Sequence, residues 1–183
     1  VAEAAIEAGA SLVNDISASL APVAAAGGVG WVAMHCQGTP QTMQHDPRYR
    51  DVVAEVADVL RDRLAWGLSL GVAEVWLDPG IGFGKTGAHN LSLLRHLDVL
   101  VDLGAPVLVG TSRKSFLGRL SAWGSEDPSP VDDRLEASVA TAVWAIRHGA
   151  AMVRVHDVAP TVQAARVAGG GGRAPVTPAG SSR

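Results

Sequence analysis

The sequence has almost no sulfur chemistry to offer and no excess of charge of either sign. Cys36 is the single cysteine in 183 residues, which excludes an intrachain disulfide and a thiolate metal cluster. Fifteen Lys and Arg against eighteen Asp and Glu leave a formal net charge of −3. That field is too weak to suggest nucleic acid or a polybasic membrane contact, so any anion must be met by a local site. No long hydrophobic run is present. The most apolar stretch, Leu20 to Met34, is broken by Pro22, Gly27, Gly28 and Gly30 and is too short to span a bilayer. A basic region followed by a long apolar core, the mark of a secretory signal, is missing as well, and a cytoplasmic setting is expected. The six histidines form no HExxH pair, and there is no GxSxG turn, Walker loop or base beside Cys36. No metal held by side chains of this chain is expected.

What is present suits one domain with a real core. Hydrophobic residues make up 48% and charged residues 18%, a globular composition. The domain is expected to run over residues 1–168. Residues 169–183 (GGGGRAPVTPAGSSR) are rich in Gly, Pro and Ser, and are expected to stay disordered because they bury too little to offset their ordering entropy. Val1 to Ala8 reads as the interior of an amphipathic helix with no initiator Met and no N-cap. The expectation is an N-terminally truncated chain.

Short β-branched runs alternate with helical patterns. Strands are expected at Ser11–Ile16, Trp31–His35, Glu74–Asp78, Pro106–Thr111 and Met152–His156, and helices most clearly at Asp51–Ser69, Asn90–Leu103 and Asp133–Arg147. In the first helix Val52, Val56, Val59, Leu60 and Leu64 mark one buried stripe. Alternation of this kind predicts parallel βαβ units. A doubly wound sheet is the alternative, but no Gly-rich dinucleotide turn follows the first strand. The strand ends favour a barrel. Asn14 and Asp15, His35, Asp78, Ser112 to Lys114, and Arg154, His156 and Asp157 all close apolar strands, the layout of a (β/α)₈ barrel's catalytic face.

Three segments carry chemistry. In Leu77-Asp78-Pro79-Gly80-Ile81-Gly82-Phe83-Gly84-Lys85 a carboxylate ends a strand ahead of three alternate glycines. Asp78 is placed to accept two hydrogen bonds from a guanidine-like edge such as a 2-aminopyrimidinone; the bland alternative is a capping Asp before a turn. In Gly110-Thr111-Ser112-Arg113-Lys114-Ser115-Phe116-Leu117-Gly118 two cations flanked by hydroxyls sit at a strand-to-helix junction. That is either an anion site or an exposed basic turn. In Val153-Arg154-Val155-His156-Asp157-Val158, alternation puts Arg154 and His156 on one side of the last strand and Asp157 on the other. They read as phosphate contacts; the alternative is a buried Arg with an Asp partner. Asn14, with a donor and an acceptor, suits a heterocycle edge.

VNDIS, MHCQGTP, LDPGIGFGKT with a following HN, GTSRKSFLG and RVHDV, in this order and spacing, closely resemble the dihydropteroate synthases, from Val1 to about Val167. The resemblance implies a (β/α)₈ TIM barrel of the pterin-binding type, reduced here to about strands 4–8. It implies a transferase of folate biosynthesis that condenses 6-hydroxymethyl-7,8-dihydropterin pyrophosphate with p-aminobenzoate, where sulfonamides compete. Carried over by residue, it implies that Asn14, Asp78 and Lys114 hold the pterin, with Asp78 and Lys114 catalytic. Arg154 and His156 would bind pyrophosphate, and Arg113, Ser115 and Phe83 would border the p-aminobenzoate pocket. It further implies Mg²⁺, with the family's Mg-binding Asn lying before Val1, and a homodimer for the full-length protein. Cys36 departs from the larger apolar residue usual in the family. The alternatives are a pterin-binding pseudoenzyme, or a corrinoid methyltransferase domain acting on methyltetrahydrofolate. The SRKSFLG element favours the synthase.

Overall fold

The computed structural model describes residues 1–169 except 40, 123, 125 and 126. The expected tail therefore lies, from residue 170 onward, outside the described residues. In chain order the elements are α1 (Ala2–Glu7), β1 (Leu12–Asp15), α2 (Ala21–Ala26), β2 (Gly30–Met34), α3 (Val52–Ser69), β3 (Val75–Asp78), α4 (Gly87–Arg95), α5 (Leu97–Val101), β4 (Leu108–Val109), α6 (Ser115–Leu120), α7 (Leu135–Arg147), β5 (Met152–Val153) and α8 (Val158–Val167).

All five strands are parallel and follow chain order. β1, β2 and β3 form one ladder and β4 and β5 a second. A bridge between Leu77 and Val107 joins the two. The register places Leu12, Val32, Trp76, Leu108 and Met152 on one face; Val32, Trp76 and Leu108 are buried there, with Leu12 and Met152 packed against them. The other face carries Val13, Trp31, Ala33, Val75, Leu77, Val107 and Val109, which meet Val56, Leu60, Leu93, Leu97, Leu100 and Ala145 from the helices. Each of the large side chains buried there contributes about 1.5–3 kcal/mol.

The sheet must curve. In a flat sheet β1 and β5 would lie roughly 19 Å apart at the usual strand spacing, yet Arg154, just beyond β5, donates from Nη1 to Asn14 Oδ1 of β1 at 2.9 Å. The strands thus form an open arc. No pairing joins β5 to β1 among the described residues.

The structure refines several boundaries. The strands expected at 106–111 and 152–156 shrink to two residues each. The helix expected over 90–103 is two: it starts early, at Gly87, because Thr86 and His89 form a reciprocal cap, and breaks at His96. Periodicity did not single out α2 and α8; α2, with Pro22 in its first turn and Gly27 as its stop, lies inside what reads as one apolar stretch.

Asp15 ends β1 but serves the fold. It is 3% exposed and accepts hydrogen bonds from Ser17 N and Oγ, Ser19 N, Leu20 N and Trp31 Nε1 at 2.6–3.1 Å. Burial alone would raise its carboxyl, but the bonds from Ser17, Leu20, Trp31 and Ser19 outweigh it and hold the group below its ordinary 3.8. A folded-state value below the unfolded one stabilises the protein above the unfolded value, and that contribution is lost as pH falls through the folded value. Asp15→Ala is expected to cost about 3 kcal/mol at pH 7. In urea denaturation the gap between wild type and variant should narrow below pH 4; a gap that stays constant with pH would refute this account.

Candidate active site

The polar residues that end the strands meet on the concave face of the arc. Asp78, the last residue of β3, has no exposed surface. Its Oδ1 accepts from Gly80 N at 2.7 Å, an Asx-type turn that starts the glycine loop. Its Oδ2 stands 2.9 Å from Arg154 Nη1 as an ion pair; Nη1 donates to Asn14 Oδ1, and Oδ2 has no partner in hydrogen-bond geometry. Asn14, Asp78 and Arg154 therefore come together as expected. Arg154 does pair with an aspartate, Asp78, but at 38% exposure it is not the buried arginine of the bland alternative.

The loop after Asp78 folds sharply back. Gly80 has φ +63°, and a Cβ there would lie 1.8 Å from His35 O, so only glycine fits. The carbonyls of the loop turn toward side chains. Lys114 Nζ donates to Ile81 O and sits 4.3 Å from the centre of the Phe83 ring. Burial pulls Lys114 down to about 8, with Asp78 opposing the shift and Arg154 adding to it.

Adjacent side chains of the basic pair diverge, because Arg113 adopts φ +58°. Lys114 turns inward toward the loop. Arg113 turns across to Asp157, with Nε to Oδ2 at 3.0 Å and Nη2 to Oδ1 at 2.7 Å. His156 lies beside them, its Nδ1 3.0 Å from Ser112 Oγ. Gly110, Ser112, Lys114, Arg154, Val155 and His156 line a hollow of about 150 Å³. Lys114, Arg154, His156 and the Ser112 hydroxyl thus converge on one small space, a set of donors with the chemistry to meet an anion. Ser115, at the start of α6, lies instead on a neighbouring cavity of about 560 Å³ together with Gly82, Asn90 and Arg119. A separate apolar groove between α4 and α7, lined by Leu91, Leu94 and Trp144, lies away from the strand ends.

Several residues at the site escaped sequence reasoning. Lys85 is 3% exposed, and its Nζ contacts Gly80 O, Phe83 O and His35 Nδ1 at 2.9–3.0 Å. Burial draws Lys85 down to about 7. Burial, then Lys85, draws His35 down to about 3. Asn90 Oδ1 accepts from Gly82 N at 2.8 Å. Buried Arg134 donates to Arg113 O at 2.9 Å and to Ser129 O. The one local signal was a lysine directly after alternate glycines. Among the described residues no group of three or more His, Cys, Asp or Glu is placed to hold a metal, and Asp78 and Asp157 each face an arginine. These residues do not form a Mg²⁺ cage.

A family model described as "Pterin binding enzyme" matches residues 1–156. The chain belongs to the pterin-binding enzyme family. Within that family, the dihydropteroate synthase of Mycobacterium leprae is 44% identical over 177 residues, covering 92% of this chain and 62% of that protein. The crystal structure of the Thermus thermophilus dihydropteroate synthase in complex with 4-aminobenzoate is 46% identical and superposes with a TM-score of 0.85, covering 92% of this chain and 69% of that one. The same enzyme in complex with 6HMPPP gives 0.86, at 46% identity, covering 92% and 67%. This member thus spans about three fifths of the length of the curated family relative. Among the described residues, no helix is long and apolar enough to cross a membrane.

Because Lys114 is a cation below about 8, binding of inorganic pyrophosphate is expected to weaken as pH rises through that value. Lys114→Arg, which stays charged, should keep its affinity from pH 7 to 9.5 in calorimetry. Parallel pH curves for the two proteins would show that Lys114 does not face the anion.

Proposed function

We propose that this chain carries the pterin- and pyrophosphate-binding part of a dihydropteroate synthase. The enzyme would join 6-hydroxymethyl-7,8-dihydropterin pyrophosphate to p-aminobenzoate, giving 7,8-dihydropteroate and pyrophosphate. The observation that carries this reading is the buried Asp78 carboxylate, whose Oδ2 lacks a hydrogen-bond donor and lies beside two cations. A 2-amino-4-oxopyrimidine edge offers a pair of N–H donors with the geometry of a guanidinium. Arg154 holds the place beside Asp78 that such an edge would take. On this reading the pterin displaces Arg154 from Asp78, and Arg154 then turns with His156 to the pyrophosphate.

In the reaction the arylamine nitrogen forms a bond to the pterin methylene carbon as the carbon–oxygen bond to pyrophosphate breaks. The amine proton leaves to solvent. This chain's residues act by position and charge. Asp78 and Asn14 hold the ring, Lys114 sits over the ring's site against Phe83, and Arg154 and His156 stabilise the departing anion. Ser115, Arg113 and Phe83 border the arylamine. No step is routed through Mg²⁺, for which the described residues offer no cage; in this reading the ion belongs to the whole enzyme. Residues 1–168 act as one unit, and the whole protein is a cytoplasmic homodimer. The relatives named above are dihydropteroate synthases, which favours displacement over methyl transfer.

Calorimetry with the dihydropterin alcohol and its pyrophosphate ester tests the reading. Asp78→Ala should weaken both ligands by about a hundredfold or more, the loss of two hydrogen bonds to a charged group. Arg154→Ala should weaken the ester by about tenfold or more while leaving the alcohol unchanged or bound more tightly, since Arg154 competes for Asp78. Equal losses of both ligands in Arg154→Ala would refute its phosphate role, and unchanged binding in Asp78→Ala would remove the pterin site.

A further inference from the structure

Five consecutive carbonyls of the glycine loop each accept a hydrogen bond from a side chain. Gly80 and Phe83 accept from Lys85, Ile81 from Lys114, Gly82 from Gln44 and Gly84 from Tyr49. Lys85 is the one that serves two, and it does so from inside the loop's curl with almost no exposed surface. Its third contact, at 2.9 Å, is His35 Nδ1 at the end of β2. In its protonated form the amine offers one N–H to each of the three. The amine is therefore a peg that ties the loop to a second strand. His35 itself is anchored there, its backbone N donating to Asp78 O at 2.9 Å.

We propose that Lys85 is a positioning residue of the pterin site, its Nζ shaping residues 79–84 so that Ile81 O and the Phe83 ring receive Lys114 and Gly80 N meets Asp78. It touches neither substrate directly. This inference rests on the pterin reading of the site. A buried amine would be expected to give way to an apolar side chain if only packing were at stake. What an apolar residue cannot do is hold two inward-turned carbonyls at once. The groups facing Lys85 are His35, directly after β2, Cys36 from the segment that follows, Asp78 from β3 and Lys114 from the turn before α6. His35 stays neutral beside it, free to accept at Nδ1.

The test compares Lys85→Met, Lys85→Arg, His35→Asn and His35→Leu with wild type, using affinity for the dihydropterin alcohol, hydrogen exchange of the 80–84 amides and the thermal midpoint. Lys85→Met should bind the pterin about tenfold or more weakly and exchange the loop amides faster, with the thermal midpoint unchanged or raised. His35→Asn keeps an acceptor near the Nδ1 position and should bind within about threefold of wild type, whereas His35→Leu should follow Lys85→Met. Lys85→Arg, too bulky for the curl, should not restore affinity. Wild-type affinity in Lys85→Met, or equal affinity in the two His35 variants, overturns the inference; the His35 pair decides it if Lys85→Met does not fold. A wild-type chain that binds no pterin overturns the reading of the site itself, and this inference with it.

Discussion

A carboxylate with no exposed surface, at the inner end of the third strand, sets the terms that the other strand ends meet. Removing a charge from water costs several kcal/mol unless partners compensate it. Asp78 draws its partners from the whole arc: a backbone N–H from its own loop, the guanidinium of Arg154 from beyond the last strand, and the nearby Lys114. The Arg154–Asn14 bond closes the set across the concave face. Curvature of the sheet is what lets partners so far apart in sequence reach one carboxylate. Electrostatics at the mouth and packing beneath it, where Trp76 fills the space between Val32 and Leu108, depend on the same bend.

Compensation is incomplete, and the incompleteness is directional. Oδ1 is tied down by Gly80 N, while Oδ2 is left facing a cation that does not donate to it in hydrogen-bond geometry. Arg154 sits against that oxygen as a charge and not as a hydrogen-bond donor, so one acceptor of the buried carboxylate stays unused.

Much of this was legible in the sequence, because strand ends, alternation and turn glycines are local properties. Asn14, Asp78, Lys114 and Arg154 were found that way, and the structure brings them together. Asp157 turns to Arg113, but β5 ends at Val153, so the strand alternation expected over 154–157 is not what places it. What stayed hidden depends on contacts distant in sequence. Asp15 and Asp78 look alike as strand-end carboxylates, yet one collects donors from the following turn and from Trp31 and is spent on the fold. Lys85 stands in the sequence only as the last residue of the glycine segment; its burial depends on His35, fifty positions away. Short α2 was concealed for a different reason: six residues give too few turns for periodicity to show. The strands after α5 came out shorter than their apolar runs because ladder length is set by neighbours, not by propensity.

The left-handed backbone at Arg113 gives the basic pair an order as well as a composition. Successive side chains at that bend point to different anions, one to a surface carboxylate and the other into the cleft. Reversing the two residues would keep charge, size and hydrogen-bonding capacity nearly constant, yet it would send the flexible amine to Asp157 and the rigid fork against Phe83. The cleft and the ion pair that braces it are thus written in neighbouring positions but can vary independently. A change at Lys114 acts first on the contact with Phe83, and a change at Arg113 acts first on the pair with Asp157.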